Sequence, residues 1–107
     1  MLRVFQNDLA DPDRFIVTLE LVPDRESSDR SVEQVRRIAA EAFDDGRVSA
    51  VSITDNPGDN PALSPDAIGH DIFELGMDVI VYFTCRDMNR VGMESRALQL
   101  AMMGRII

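Results

Sequence analysis

The residues able to do chemistry fall at the ends of apolar runs. Glu20 interrupts FIVTLELV, residues 15–22, in which every other side chain but Thr18 is apolar. A carboxylate there is costly to desolvate unless paired or hydrogen-bonded, and burial would favour its protonated form, the one a general acid needs. The alternative is a structural carboxylate that caps a loop amide or pairs with an arginine. Thr54, Asp55 and Asn56 follow the run VSAVSI and lead into DNPGDNPALSP. Asp55 and Asn56 lead that loop, whose Asn, Pro, Gly and Asp residues build turns, yet such loops also carry ligand contacts. The third run, VIVYF, ends in Thr84, Cys85, Arg86, Asp87, Asn89 and Arg90. Two arginines can hold an anion, although an Arg–Asp pair that fixes the loop is the commoner arrangement. Cys85 is the single cysteine and His70 the single histidine. His70 falls on a helix next to Asp71, at the surface, so a Cys–His dyad is disfavoured against a small packing cysteine. Met88, Met93, Met102 and Met103 read as packing residues.

Composition removes several classes. All 11 basic residues are arginine, which excludes Schiff-base lysine chemistry and a P-loop lysine. The net charge of −8 argues against a nucleic-acid surface. One cysteine and one histidine cannot build a structural zinc site or an internal disulfide, so no metal is expected. The first 14 residues lack the apolar core of a signal peptide, and no apolar run approaches the roughly 20 residues of a membrane span. These features predict a soluble, cytoplasmic chain without a membrane partner.

The elements that must position these groups alternate along the chain. Residues 1–14 read as a polar lead-in, and residues 15–107 as one domain. Strands are expected at 15–22, 48–54 and 78–84. A helix opens on the capping box SVEQ at Ser31, with Val32, Val35, Ile38, Ala39, Ala42 and Phe43 at helical spacing and Gly46 closing it. A second opens on Ser64-Pro65-Asp66, carries Ile68, Ile72 and Leu75, and ends at Gly76. A third spans about 91–103 with Val91, Leu98, Ala101 and Met102 inward. Arg105-Ile-Ile107 reads as the start of a fourth strand.

Strand–helix repeats of roughly 30 residues predict βαβ units and a parallel sheet. A small doubly wound, flavodoxin-like sheet would mark a nucleotide site with a glycine-rich first turn, and PDRESSDRS has no glycine. A (β/α)₈ barrel instead places polar residues at the carboxyl ends of its strands, as Glu20, Thr54 and Thr84 are placed here. A whole barrel needs at least about 200 residues, so the expectation is an α/β fold comprising the first three to four βα units of a TIM barrel, a partial barrel. Its open sheet edges predict a homo-oligomer or other association through those edges.

These segments resemble the methylenetetrahydrofolate reductase family. VTLELVP is similar to that family's first-strand motif, VSAVSITDNPG to a second-strand motif built around V-S-V-T, and IVYFTCRDMNR to a third-strand motif of the H-L-T-C-x-D type. The resemblance implies a flavoprotein in which FAD, reduced by NAD(P)H, reduces 5,10-methylenetetrahydrofolate to 5-methyltetrahydrofolate. It implies that Glu20 is the general acid and that Thr54, Asp55, Tyr82 and Thr84 lie at the flavin. Tyr82 and Thr84 alternate with Cys85 and are the side chains expected to point into the barrel. The chain departs from the family at Tyr82, where histidine is usual, and at Asp55, where an aromatic residue often stands. The family's L-x-G-D motif would fall just beyond Ile107, so the 107 residues alone are expected to bind FAD poorly. A non-catalytic folate-binding or subunit-interface module derived from such a barrel is the alternative.

Overall fold

The computed structural model describes residues 4–23, 29–56 and 64–103. They form, in order, α1 (Val4–Ala10), β1 (Thr18–Leu21), α2 (Asp29–Asp45), β2 (Ala50–Ile53), α3 (Pro65–Glu74), β3 (Asp78–Val81) and α4 (Arg90–Met102). Residues 24–28 of the glycine-free turn, 57–63 of the loop after Asn56, and the segment 104–107 expected to begin a fourth strand lie outside the described residues.

The three strands form one parallel sheet in the order β1-β2-β3. Leu19 stands opposite Val51 and Val51 opposite Val79; one step on, Glu20 faces Ser52 and Ser52 faces Ile80. Side chains alternate between the faces of a strand. One face therefore carries Leu21, Val51, Ile53, Val79 and Val81, which join Val35 and Ala39 of α2, Ile68 and Ile72 of α3, and Leu100 of α4 in a single core. Full burial of such aliphatic side chains is worth about 1.5–3 kcal/mol each. All three helices thus contribute to the same side of the sheet. The opposite side carries Thr18, Glu20, Ser52 and Ile80.

Close packing of α3 on the sheet depends on Gly69. A Cβ at that position would lie 2.9 Å from Val79 Cγ1 and 3.4 Å from Ile53 Cδ1. Gly76, at φ +100°, turns the chain from α3 toward β3, a conformation glycine adopts without a Cβ penalty.

Several expectations are corrected. Within the lead-in, for which no element is expected, Val4–Ala10 form α1, which is anchored at the amino ends of the strands. Asp8 Oδ2 accepts the Ser49 hydroxyl at 2.6 Å, Asp8 Oδ1 lies 3.1 Å from Arg14 Nε, and the Phe5 N–H donates to Asp78 Oδ2 at 2.8 Å. A seven-residue helix is marginal by itself, so these side-chain contacts are what hold it. The strands are shorter than predicted because each ladder holds only four residue pairs, and Phe15 is left 90% exposed. α2 begins at Asp29, so Ser31 sits inside its first turn rather than at its cap. Ser64 has cap geometry without a side-chain cap bond; its carbonyl accepts the amides of Ala67 and Ile68 instead.

α4 presents the opposite face from the one predicted. Val91, Leu98 and Met102 are 64%, 73% and 92% exposed, while Leu100 is fully buried. Arg96 and Leu100, one turn apart, form the inward side. No described helix is long and apolar enough to cross a membrane.

Candidate functional site

The site is built where β1 and β2 end. The Thr54 amide continues the ladder by donating to the Leu21 carbonyl at 3.1 Å. This puts the Thr54 side chain on the sheet face that carries Glu20, and its hydroxyl donates to Glu20 Oε1 at 2.7 Å. Glu20 itself is exposed. The desolvation expected for a carboxylate inside an apolar strand therefore does not operate among the described residues: Glu20 occupies the helix-free face, whereas its neighbours Leu19 and Leu21 turn into the helix side.

Alternation also separates Thr54 from Asp55. Asp55 follows Val51 and Ile53 onto the helix side, and its side chain is only 5% exposed. Asp55 Oδ2 accepts the Thr84 amide at 2.9 Å and lies 3.3 Å from Arg96 Nη1 of α4. The Thr84 hydroxyl reaches the Asp55 carbonyl at 3.4 Å. Arg96, 16% exposed, stacks its guanidinium 5.1 Å from the Phe83 ring centroid, a cation–π contact. Phe83 in turn packs against the core. Asn56 then takes φ +46°, a left-handed conformation that asparagine tolerates better than most residues, and turns the chain out of the sheet.

The third strand end keeps the same parity. Val79 and Val81 lie in the core and Phe83 packs against it, while Tyr82 and Thr84 lie just beyond the end of β3. Tyr82 is 44% exposed and Thr84 half-buried. Cys85 is exposed, with its Sγ 3.7 Å from the Phe83 carbonyl, so it is not the packing residue anticipated. Arg86 binds the Asp87 carboxylate at 3.1 and 3.2 Å, and this hydrogen bonding holds the Asp87 carboxyl below the usual carboxylate range. Arg90 reaches Glu94 at 3.1 Å across one helical turn. Both arginines thus have carboxylate neighbours, the commoner outcome for such a loop. His70 is exposed on α3, 4.0 Å from Glu74.

The structure therefore brings together Glu20 and Thr54, and separately Asp55 and Thr84. Sequence reasoning missed Arg96 and Phe83. The available signal was Arg96 one turn before Leu100, which marks a guanidinium on the buried side of α4.

A groove of about 350 Å³ runs beside the site between β1 and α2, lined in part by Leu19, Glu20, Val22, Gln34, Val35 and Ile38. It joins one carboxylate to an apolar wall. At the rim the Glu20 carboxylate is exposed and accepts the Thr54 hydroxyl. Among the described residues no group of three or more His, Cys, Asp or Glu side chains is placed to hold a metal ion. In comparisons with known proteins, no family model, no curated protein and no solved structure matches this chain.

Proposed function

We propose that the chain is the N-terminal part of a (β/α)₈-barrel flavoprotein of the methylenetetrahydrofolate reductase type, with Glu20 as its general acid. The observation that carries this reading is the 2.7 Å hydrogen bond between Thr54 and Glu20. The two residues that the motifs single out lie on different strands, 34 positions apart in the chain, and meet at the carboxyl ends of a parallel sheet. Active sites of parallel α/β folds are built at that end. The placement of α2, α3 and α4 on one side of the sheet supports a barrel over a doubly wound sheet, which carries helices on both faces.

The rim suits the ring portion of a flavin. Thr54 offers a hydroxyl beside Glu20, and Tyr82, beyond the end of β3, an exposed aromatic ring. FAD, when bound, would supply hydride taken from NAD(P)H to the methylene carbon of 5,10-methylenetetrahydrofolate. Glu20 would deliver a proton to the ring nitrogen that departs as the five-membered ring opens. Thr54 would orient the Glu20 carboxyl through its hydroxyl, and the helix-free face would exclude water once covered. Asp55, turned away from that face, contributes through the groups it holds.

The test uses the protein as its gene encodes it. A visible flavin spectrum that NADH or NADPH bleaches, and that 5,10-methylenetetrahydrofolate restores, is the expected result. No flavin retained even with added FAD, together with no methyltetrahydrofolate formed, would overturn the proposal.

A second reading has its own support. The outward Val91, Leu98 and Met102 of α4 favour a non-catalytic subunit-interface module, and a colourless, stable oligomer would distinguish it.

A further inference from the structure

Asp55 and Arg96 form a contact that the proposed chemistry does not use. Both side chains are largely buried, yet Arg96 belongs to α4 and Asp55 to the end of β2. A buried carboxylate and guanidinium are expensive to desolvate, and apolar residues of similar volume would often be as stable or more so. Their placement is specific. Asp55 directly follows Thr54, the donor to Glu20, and the same Asp55 oxygen that meets Arg96 takes the Thr84 amide. Asp55 therefore binds the ends of β2 and β3 together from the helix side, while Thr54 joins β2 to β1 on the opposite side. Phe83, beneath the Arg96 guanidinium, fixes that cation in place at 5.1 Å.

We infer that Arg96 and Asp55 are positioning residues: they hold Thr54 and Thr84 at the rim, so that α4 sets the geometry of the Glu20 face without touching a ligand. The inference rests on the proposed function for its catalytic consequence but not for its geometry. Loss of the guanidinium leaves Asp55 with an uncompensated buried charge, which is relieved when the Asp55 carboxylate leaves its pocket. That movement releases the Thr84 amide and carries the adjoining Thr54 with it. Lysine can still meet Asp55 as a point charge, whereas methionine preserves only volume.

The single cysteine supplies a built-in probe. Cys85 is exposed and directly follows Thr84, so a nitroxide attached to its thiol reports on the clamp by electron paramagnetic resonance. Arg96→Met should raise label mobility and weaken FAD binding by about tenfold, the scale of losing an outer partner of a binding site. Arg96→Lys should restore most of both. Asp55→Asn, which retains an oxygen acceptor for the Thr84 amide, should fall between them and serves should Arg96→Met fail to fold. Label mobility unchanged in both Arg96→Met and Asp55→Asn, with circular dichroism showing folded protein, would overturn the inference. Raised mobility that Arg96→Lys does not relieve would also overturn it. If the wild-type protein binds no FAD, the functional reading fails while the label still decides the clamp.

Discussion

The two ends of the sheet are held by the same kind of residue in different ways. At the amino ends, Asp8 and Asp78 are buried and satisfied by Ser49, Arg14 and the Phe5 amide, and α1 closes over them. At the carboxyl ends, Asp55 is equally buried and joins two strand ends, but Glu20 stays exposed with Thr54 half-buried beside it. The first network ends in a helix and the second ends in an exposed carboxylate. In the first network the carboxylates are the buried members and the exposed partner is the Arg14 guanidinium; in the second a buried carboxylate backs an exposed one.

Breaking the amino end should have the largest effect on stability. Asp8→Ala removes the Ser49 and Arg14 contacts and leaves the Ser49 hydroxyl buried without its acceptor, so unfolding free energy should fall by about 2–3 kcal/mol in urea titration. Flavin binding per folded molecule should not change. A matching loss of flavin affinity would erase the distinction between the two ends.

Gly69→Ala tests the helix layer that both ends share. Alanine gains about 1 kcal/mol of helix propensity, but its Cβ would meet Val79 Cγ1 at 2.9 Å, and overpacking costs about 1–3 kcal/mol. Overpacking wins, because Val79 is itself fully packed and cannot yield. A net loss of about 1 kcal/mol is expected by thermal denaturation.

At the carboxyl end, Thr54→Val should cost less than about 1 kcal/mol, since the hydroxyl donates to an exposed carboxylate. Turnover should nevertheless drop by about tenfold, as befits a lost orienting bond. This pairing of small stability loss with large activity loss is the reverse of that expected for Asp8→Ala.

The smallest effect belongs to the exposed pairs. Arg86 holds Asp87, and Arg47 holds Asp45, below the usual carboxylate range by hydrogen bonding. A depressed carboxyl contributes stability that is present above its ordinary value of about 4 and is lost as pH falls through the lower folded value. Both pairs are exposed, so Asp87→Asn should leave the acid-unfolding midpoint unchanged.

How far the sequence could be read depended on which physical signal was local. The positions of the three strands and the α3 start at Pro65 follow from β-branched runs and cap chemistry, which neighbouring residues determine. The pairing of Glu20 with Thr54 was implicit in their shared position at strand ends. The role of Asp55 is hidden because the strand is expected to end at Thr54 and Asp55 to lead the loop, whereas the strand's two-residue period runs one residue further and sends the two side chains to opposite faces. α4 was oriented wrongly for a related reason: its apolar stripe of Val91, Leu98 and Met102 outnumbers Leu100, yet the buried carboxylate of Asp55 requires Arg96 inward. α1 was missed because its anchors, Ser49 and Asp78, lie far along the chain and no local pattern announces them.

The most direct test of the central claim is Glu20→Gln in the protein as its gene encodes it, assayed for NAD(P)H-dependent formation of 5-methyltetrahydrofolate. Glutamine preserves shape and accepts the Thr54 hydroxyl but cannot deliver the proton. Flavin content should match wild type while turnover falls by about two to three orders of magnitude. Turnover equal to wild type, with flavin bound, would contradict the assignment of Glu20 as the general acid.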